Sequence, residues 1–207
     1  ARLDTELYDG KPPPIWIGAN GPRMLGITGR HADGWWPFGM YTPELYAEKV
    51  RLIREAAEKV KRDPFSITPG LSQICLIGDE DEIEEMLRAP LVKIIVLTVS
   101  AENTRVFGHE HPMGPDWRGL MDFNPVNLSR DKIIRYCEEM DTQIIRDIIP
   151  VGTVKQVALK LKGLIDAGAR LFMVLDYGAL AGLKFAAKSA EKIRQVEDEV
   201  LRLVKGA

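Results

Sequence analysis

The chain has 207 residues, with 28 Lys+Arg against 30 Asp+Glu and a net charge of −2. A balance so close excludes a polybasic nucleic-acid binder, and 45% hydrophobic with 28% charged residues excludes a disordered chain. No apolar run approaches the ~20 residues of a membrane span, and Ala1-Arg2-Leu3-Asp4 lacks a signal-peptide pattern, so the sequence points to the cytoplasm with no membrane partner. Cys75 and Cys137 lie without CxxC spacing and read as reduced, structural thiols. A start at Ala1 leaves open a trimmed form, a processed product and a piece of a longer protein.

Residues 1–207 are read as a single domain. Pro12-Pro13-Pro14 cannot be helical and leads into a short strand, Ile15-Trp16-Ile17. Gly18-Ala19-Asn20-Gly21 is a turn, and Pro22 falls where a helix's first position favours it, so a helix runs to about Gly29. Gly34-Trp35-Trp36 is a second strand, and Thr42-Pro43-Glu44 caps an amphipathic helix to about Lys61. Phe65 to Ile77 reads as one strand bent at Pro69-Gly70, followed by helices over about Asp81 to Arg88 and Pro90 to Val106.

Periodicity then disappears, and residues 108–128 are expected to form a long insertion loop, a lid or substrate-facing segment. Ser129 caps a helix to about Met140, another short helix follows, and Thr153 caps a helix to Ala167 that Gly168 closes. Leu171 to Leu175 is the clearest strand, its unbroken apolar run predicting burial on both faces. A charged amphipathic helix over about Leu183 to Val204 ends the chain. Short strands alternating with helices imply a parallel sheet, either open or closed into a barrel. Only about four strands are visible, half of the eight that a (β/α)8 TIM barrel of ~250 residues contains.

The strongest candidate site is Gly18-Ala19-Asn20-Gly21-Pro22-Arg23-Met24. A strand ending in a glycine turn at a helix start aims free N–H groups and the positive end of the helix dipole at one point, where a phosphate is held well. Pro22 has no N–H, so Gly21, Arg23 and Met24 would be the donors. His109-Glu110-His111 lacks the further ligands a metal needs, and no metal is expected. Asp176 and Tyr177 end the last strand, where barrel enzymes place functional groups and where a capping role serves equally. Asp33 reads as a turn residue.

Pro13 to Met24, followed by Gly29-Arg30-His31-Ala32-Asp33-Gly34-Trp35, resembles the signature of the luciferase-like flavin and deazaflavin oxidoreductases. Val151 to Val157 and Asp166-Ala167-Gly168-Ala169-Arg170 resemble the family's later segment. Phe107 to Gly119 is most similar to the branch with methylenetetrahydromethanopterin reductase and the phthiodiolone ketoreductases. The resemblance implies a TIM barrel, an enzyme that passes hydride between coenzyme F420 and a small-molecule substrate, and a cofactor phosphate held by Gly18, Ala19, Asn20, Gly21 and Pro22, with Arg23 and Met24 beside them. FMN is the alternative cofactor, in a monooxygenase, and a non-catalytic half-barrel is the alternative of another class. Trp36, Pro37 and Phe38 are placed near the ring or substrate, and core packing is the preferred reading for at least one of Trp35 and Trp36. The chain resembles the C-terminal half of its family's barrel, beginning just before the fifth strand. Catalytic residues are therefore not assignable from it, and its open sheet edges imply a homodimer or a complementing N-terminal half-barrel.

Overall fold

The structure is a computed structural model and describes residues 7–124, 126 and 128–206. Five parallel strands form one sheet: β1 (Trp16–Ile17), β2 (Gly34–Trp35), β3 (Thr68–Ile77), β4 (Val151–Gly152) and β5 (Leu171–Asp176). β1 pairs β2 and β2 pairs β3, while β3 pairs β5 over residues 70–75 and β4 at Leu76 and Ile77. The sequence reading of four strands is corrected to five. β4 has only two residues and no apolar run, so its strand character comes from its partner on β3.

The first crossover is α1 (Pro22–His31) and the second α2 (Pro43–Glu58), capped by Thr42 Oγ1, which accepts from Leu45 N–H at 3.2 Å. The crossover into β5 is α8 (Val154–Asp166), whose start carries a reciprocal capping box between Thr153 and Gln156. Gly168, at φ +115, turns the chain into the strand. The final helix, α9 (Leu183–Lys205), packs on α8. Between β3 and β4 lies an insertion of α3 (Glu80–Arg88), α4 (Pro90–Thr98), α5 (Ala101–Val106), α6 (Arg130–Glu139) and α7 (Gln143–Ile148). The helix expected over Pro90 to Val106 is broken at Val99, because Val99 is extended and Ser100 caps a new helix, accepting from Asn103 N–H at 3.2 Å.

β3 begins at Thr68 rather than Phe65 and runs without a bulge. Pro69 is tolerated because the β5 ladder starts beside it, where its carbonyl accepts from Arg170 N–H at 2.8 Å. The two faces of the sheet differ. Trp35 and Leu71 are fully buried against Tyr46, Val50 and Ile53 of α2, and Cys75 and Ile77 against α8 and α9. On the opposite face Trp16 stands level with Gly34 and Thr68, and Gly70 is level with Leu171. Large rings over glycines reproduce the alternation of large and small residues that fills a barrel interior. Insertion residues cover this face at Ile74 and Leu76. Leu171 and Met173 are each 45% exposed, so β5 is buried on one face only, contrary to its apolar pattern.

Candidate functional site

In the turn after β1 the carbonyls of Ala19, Asn20 and Gly21 are occupied, while the amides of Gly21, Arg23 and Met24 are free. Ala19 O accepts from Trp35 Nε1 at 2.8 Å, and Asn20 O accepts from Lys49 Nζ at 2.9 Å. Gly21 is extended at the N-cap of α1 without a side-chain cap, and the first helical bond is Leu25 N–H to Gly21 O at 3.0 Å. The amides of Gly21, Arg23 and Met24 thus find no acceptor among the described residues, as expected for the first turn of a helix opened by proline. A Cβ on Gly18 would lie 3.0 Å from Trp36 O, whereas one on Gly21 would meet nothing.

The Asn20 side chain is held within the protein. Its Nδ2 donates to Phe38 O at 2.7 Å and its Oδ1 accepts from the Tyr41 hydroxyl. Burial, with Tyr46 nearby, pushes the Tyr41 phenol well above its ordinary range, so it remains a protonated donor. Both ends of the Asn20 side-chain amide are therefore engaged in fixing the turn. Ala19 is buried, and its methyl group belongs to the core.

Gly21 opens onto a cleft of about 440 Å³. Phe38, Tyr41 and Lys49 line it on the sheet side, and Asn103, Arg118 and Leu120 on the insertion side. The insertion wall is pinned by an antiparallel bridge between Ser100 and Arg118 and by Trp117 Nε1, which donates to Leu97 O at 2.9 Å. Gly119 sits at φ +64, and a Cβ there would be 2.6 Å from Thr98 O. Lys49 and Arg118 bring positive charge to the cleft, beside the helix dipole, although Arg118 is already paired with Asp122. Arg118 lies within the 108–128 loop expected to be a lid or to face the substrate, whereas the turn motif carries no signal of Tyr41, Lys49 or Asn103.

The three residues expected near the ring or substrate are divided. Phe38 lines the cleft; Pro37 is buried; Trp36 lies on the inner face of the sheet, where its Nε1 donates to Ser72 Oγ at 2.9 Å. Trp35 is core. Arg23 and Met24 are exposed at the helix start, outside the cleft lining.

The two histidines of the insertion diverge. His109 pairs with Asp147 at 2.7 Å, while His111 is buried, stacked on Trp117, with Nε2 2.9 Å from Val96 O and Nδ1 accepting from Met113 N–H at 3.1 Å. No cluster able to hold a metal occurs among the described residues. Asp176 faces the helices, and its Oδ1 accepts from Gly178 N–H at 2.9 Å, so it caps the turn over Tyr177–Ala181. Asp33, in the bend before β2, accepts from Ile15 N–H at Oδ2 (2.8 Å), a long-range contact that ties the start of β1 to that of β2. Among the described residues no helix is long and apolar enough to cross a membrane. Pro125 and Asn127 of the expected 108–128 loop lie outside the described residues; a short 3-10 turn over Gly119–Met121 is its one regular element among the rest.

A parallel βα sheet with its glycine turn at the carboxyl end of a strand defines a partial α/β barrel. The chain belongs to the luciferase-like monooxygenase family, whose model matches residues 4–171. It is 35% identical over 181 residues to the phthiodiolone/phenolphthiodiolone dimycocerosates ketoreductase of Mycobacterium tuberculosis, covering 87% of this chain and 47% of that protein. A shorter match, 28% over 79 residues, links 37% of the chain to 21% of the F420-dependent hydroxymycolic acid dehydrogenase of the same species. The coenzyme F420-dependent tetrahydromethanopterin reductase of Methanopyrus kandleri shares the fold at a TM-score of 0.60 and 21% identity, over 79% of this chain and 45% of that one. The chain thus spans about half the length of the curated relatives it matches.

Proposed function

We propose that this chain is the cofactor-phosphate-holding half of an F420-dependent oxidoreductase. The observation that carries the reading is the turn at Gly21, with carbonyls tied back, amides free and Lys49 beside them, at the mouth of the cleft. The donors fit a phosphate, and the relative named as an F420-dependent dehydrogenase supports the deazaflavin over FMN. When bound, the deazaflavin supplies a hydride donor or acceptor. This chain's residues hold its phosphate by backbone N–H groups, orient it through the fixed turn and place Phe38 against its neighbour in the cleft. The ketoreductase relatives support a carbonyl substrate; a methylenetetrahydromethanopterin-reductase-like reaction on a one-carbon substrate is the narrower reading suggested by residues 107–119. Titration with F420 and, separately, FMN tests the proposal. Binding of F420 that Gly21→Val abolishes is the expected result; binding of FMN alone favours a flavin monooxygenase, and binding of neither removes the reading of this turn as a cofactor site.

The same reading includes a partner surface. Trp16, Leu171 and Met173 leave the inner face partly uncovered, and β1 and β5 each pair on one side only among the described residues. The occupant is the remaining half of a luciferase-like barrel, because the relatives are about twice as long as the matched segment. Its strands would pair with β1 and β5 and cover the three side chains, removing both open edges. The complete site, with the groups around the reacting ring, would form only in that assembly.

A further inference from the structure

We infer that Asn103, on the insertion, is a positioning residue for the glycine turn, acting through the segment Phe38–Tyr41 onto Asn20; this rests on the reading of that turn as the cofactor site. Asn103 Oδ1 accepts from Met40 N–H at 3.1 Å, and its Nδ2 donates to Met40 O at 2.9 Å. One side-chain amide thus copies the paired hydrogen bonds of a neighbouring strand, across 63 positions of chain. The segment needs an external hold. Gly39 lies at φ +151, a conformation open to glycine, so nothing in its own backbone preference fixes the chain on either side of it.

Both flanks of Gly39 terminate on Asn20. Phe38 O accepts from Asn20 Nδ2, and the Tyr41 hydroxyl donates to Asn20 Oδ1. Met40, between them, is anchored by its buried side chain and by Asn103. Loss of the Asn103 amide would leave the Met40 N–H and C=O without these partners and free the Gly39 torsions. The orientation of Asn20, and with it the direction of the Gly21 amide, would follow. Asn103 also lines the cleft, but with both amide functions occupied it acts through Met40 and not on a ligand.

The test compares Asn103→Ala, Asn103→Asp and Arg105→Ala in the 207-residue chain. Asn103→Asp keeps the acceptor for Met40 N–H and sets an oxygen against the Met40 carbonyl. Arg105→Ala changes an exposed side chain of the same helix, outside the cleft lining, and leaves the Asn103 side chain in place. Amide NMR spectra of the ligand-free protein are expected to show the Asn20 side-chain and Gly21 backbone resonances moved in both Asn103 variants and unmoved in Arg105→Ala. The dissociation constant for F420 is expected to rise about tenfold in Asn103→Ala and to stay unchanged in Arg105→Ala. Unmoved Asn20 resonances in the Asn103 variants, or equal movement in Arg105→Ala, would overturn the inference. If the wild-type chain binds no F420, the cofactor reading fails by itself, while the Asn20 resonances still decide the positioning role.

Discussion

The indole of Trp36 lies on Gly70: a Cβ at that glycine would come within 2.5 Å of the ring. The same ring reaches Ser72 through Nε1 and meets Trp16 edge to face, with centroids 5.9 Å apart. Gly70→Ala is therefore expected to displace Trp36 and break the bond to Ser72, at a cost of about 1–3 kcal/mol typical of overpacking. Denaturant unfolding measures the loss, and a red-shifted tryptophan emission reports the displaced ring. An unchanged midpoint would show that Trp36 is free to move.

His111 sets a pH dependence whose sign follows from its surroundings. Burial lowers its pKa, against the opposing pull of its backbone partner Val96, and Nδ1 must stay unprotonated to accept from Met113. Between the lowered folded value and the ordinary histidine value of ~6.5 the unfolded chain takes up a proton that the folded chain does not. Stability is thus present above that window and lost as pH falls through it. Unfolding midpoints measured from neutral to mildly acidic pH should decline less in His111→Gln than in the wild type.

The strand, turn and helix from Ile15 to His31 were legible because proline and glycine punctuate them by backbone chemistry alone: Pro22 opens the helix and Gly21 precedes it. The Thr153 cap was legible for the same reason. The break at Val99 was missed because the apolar content of α4 hid a local signal, Ser100, that caps α5. Burial of β5 was overread, since an apolar run does not state what covers each face, and Leu171 and Met173 face the uncovered one. In the site, the donors were visible in the motif, while Tyr41, Lys49 and Asn103 reach the turn only through folding.

Asp176 presents a buried carboxylate with a single satisfied oxygen. Oδ1 caps Gly178, while Oδ2 is buried with no partner of hydrogen-bond geometry among the described residues. Burial pushes its carboxyl above the ordinary range; Ser189, the Gly178 amide and Lys192 offset this in part. A raised folded pKa means that stability is full below the ordinary carboxylate pKa and declines as pH rises through the folded value. Asp176→Asn keeps the acceptor for Gly178 and removes the charge, so it is expected to equal or exceed the wild type in stability at neutral pH, with a margin that shrinks on acidification. Asp176→Ala loses the cap and should cost about 1–2 kcal/mol. Thermal melts of both variants at two pH values check the pair of signs.

The partner surface makes a prediction that separates it from ordinary core packing. Leu171 and Met173 point to the uncovered face and are half-exposed, so replacing both by Glu removes little buried apolar area from the isolated chain. Its circular dichroism and melting temperature are expected to stay close to wild type. In the assembled barrel the same carboxylates would be enclosed without partners, and a buried, unpaired charge costs several kcal/mol. The wild-type chain, mixed with the separately expressed N-terminal half of the Mycobacterium tuberculosis ketoreductase relative, should give a one-to-one complex by light scattering, and the double Glu variant should give none. A homodimer of the chain that the two substitutions dissolve would assign the surface to a second copy. A monomer that ignores the added half would show that this face is not an assembly surface.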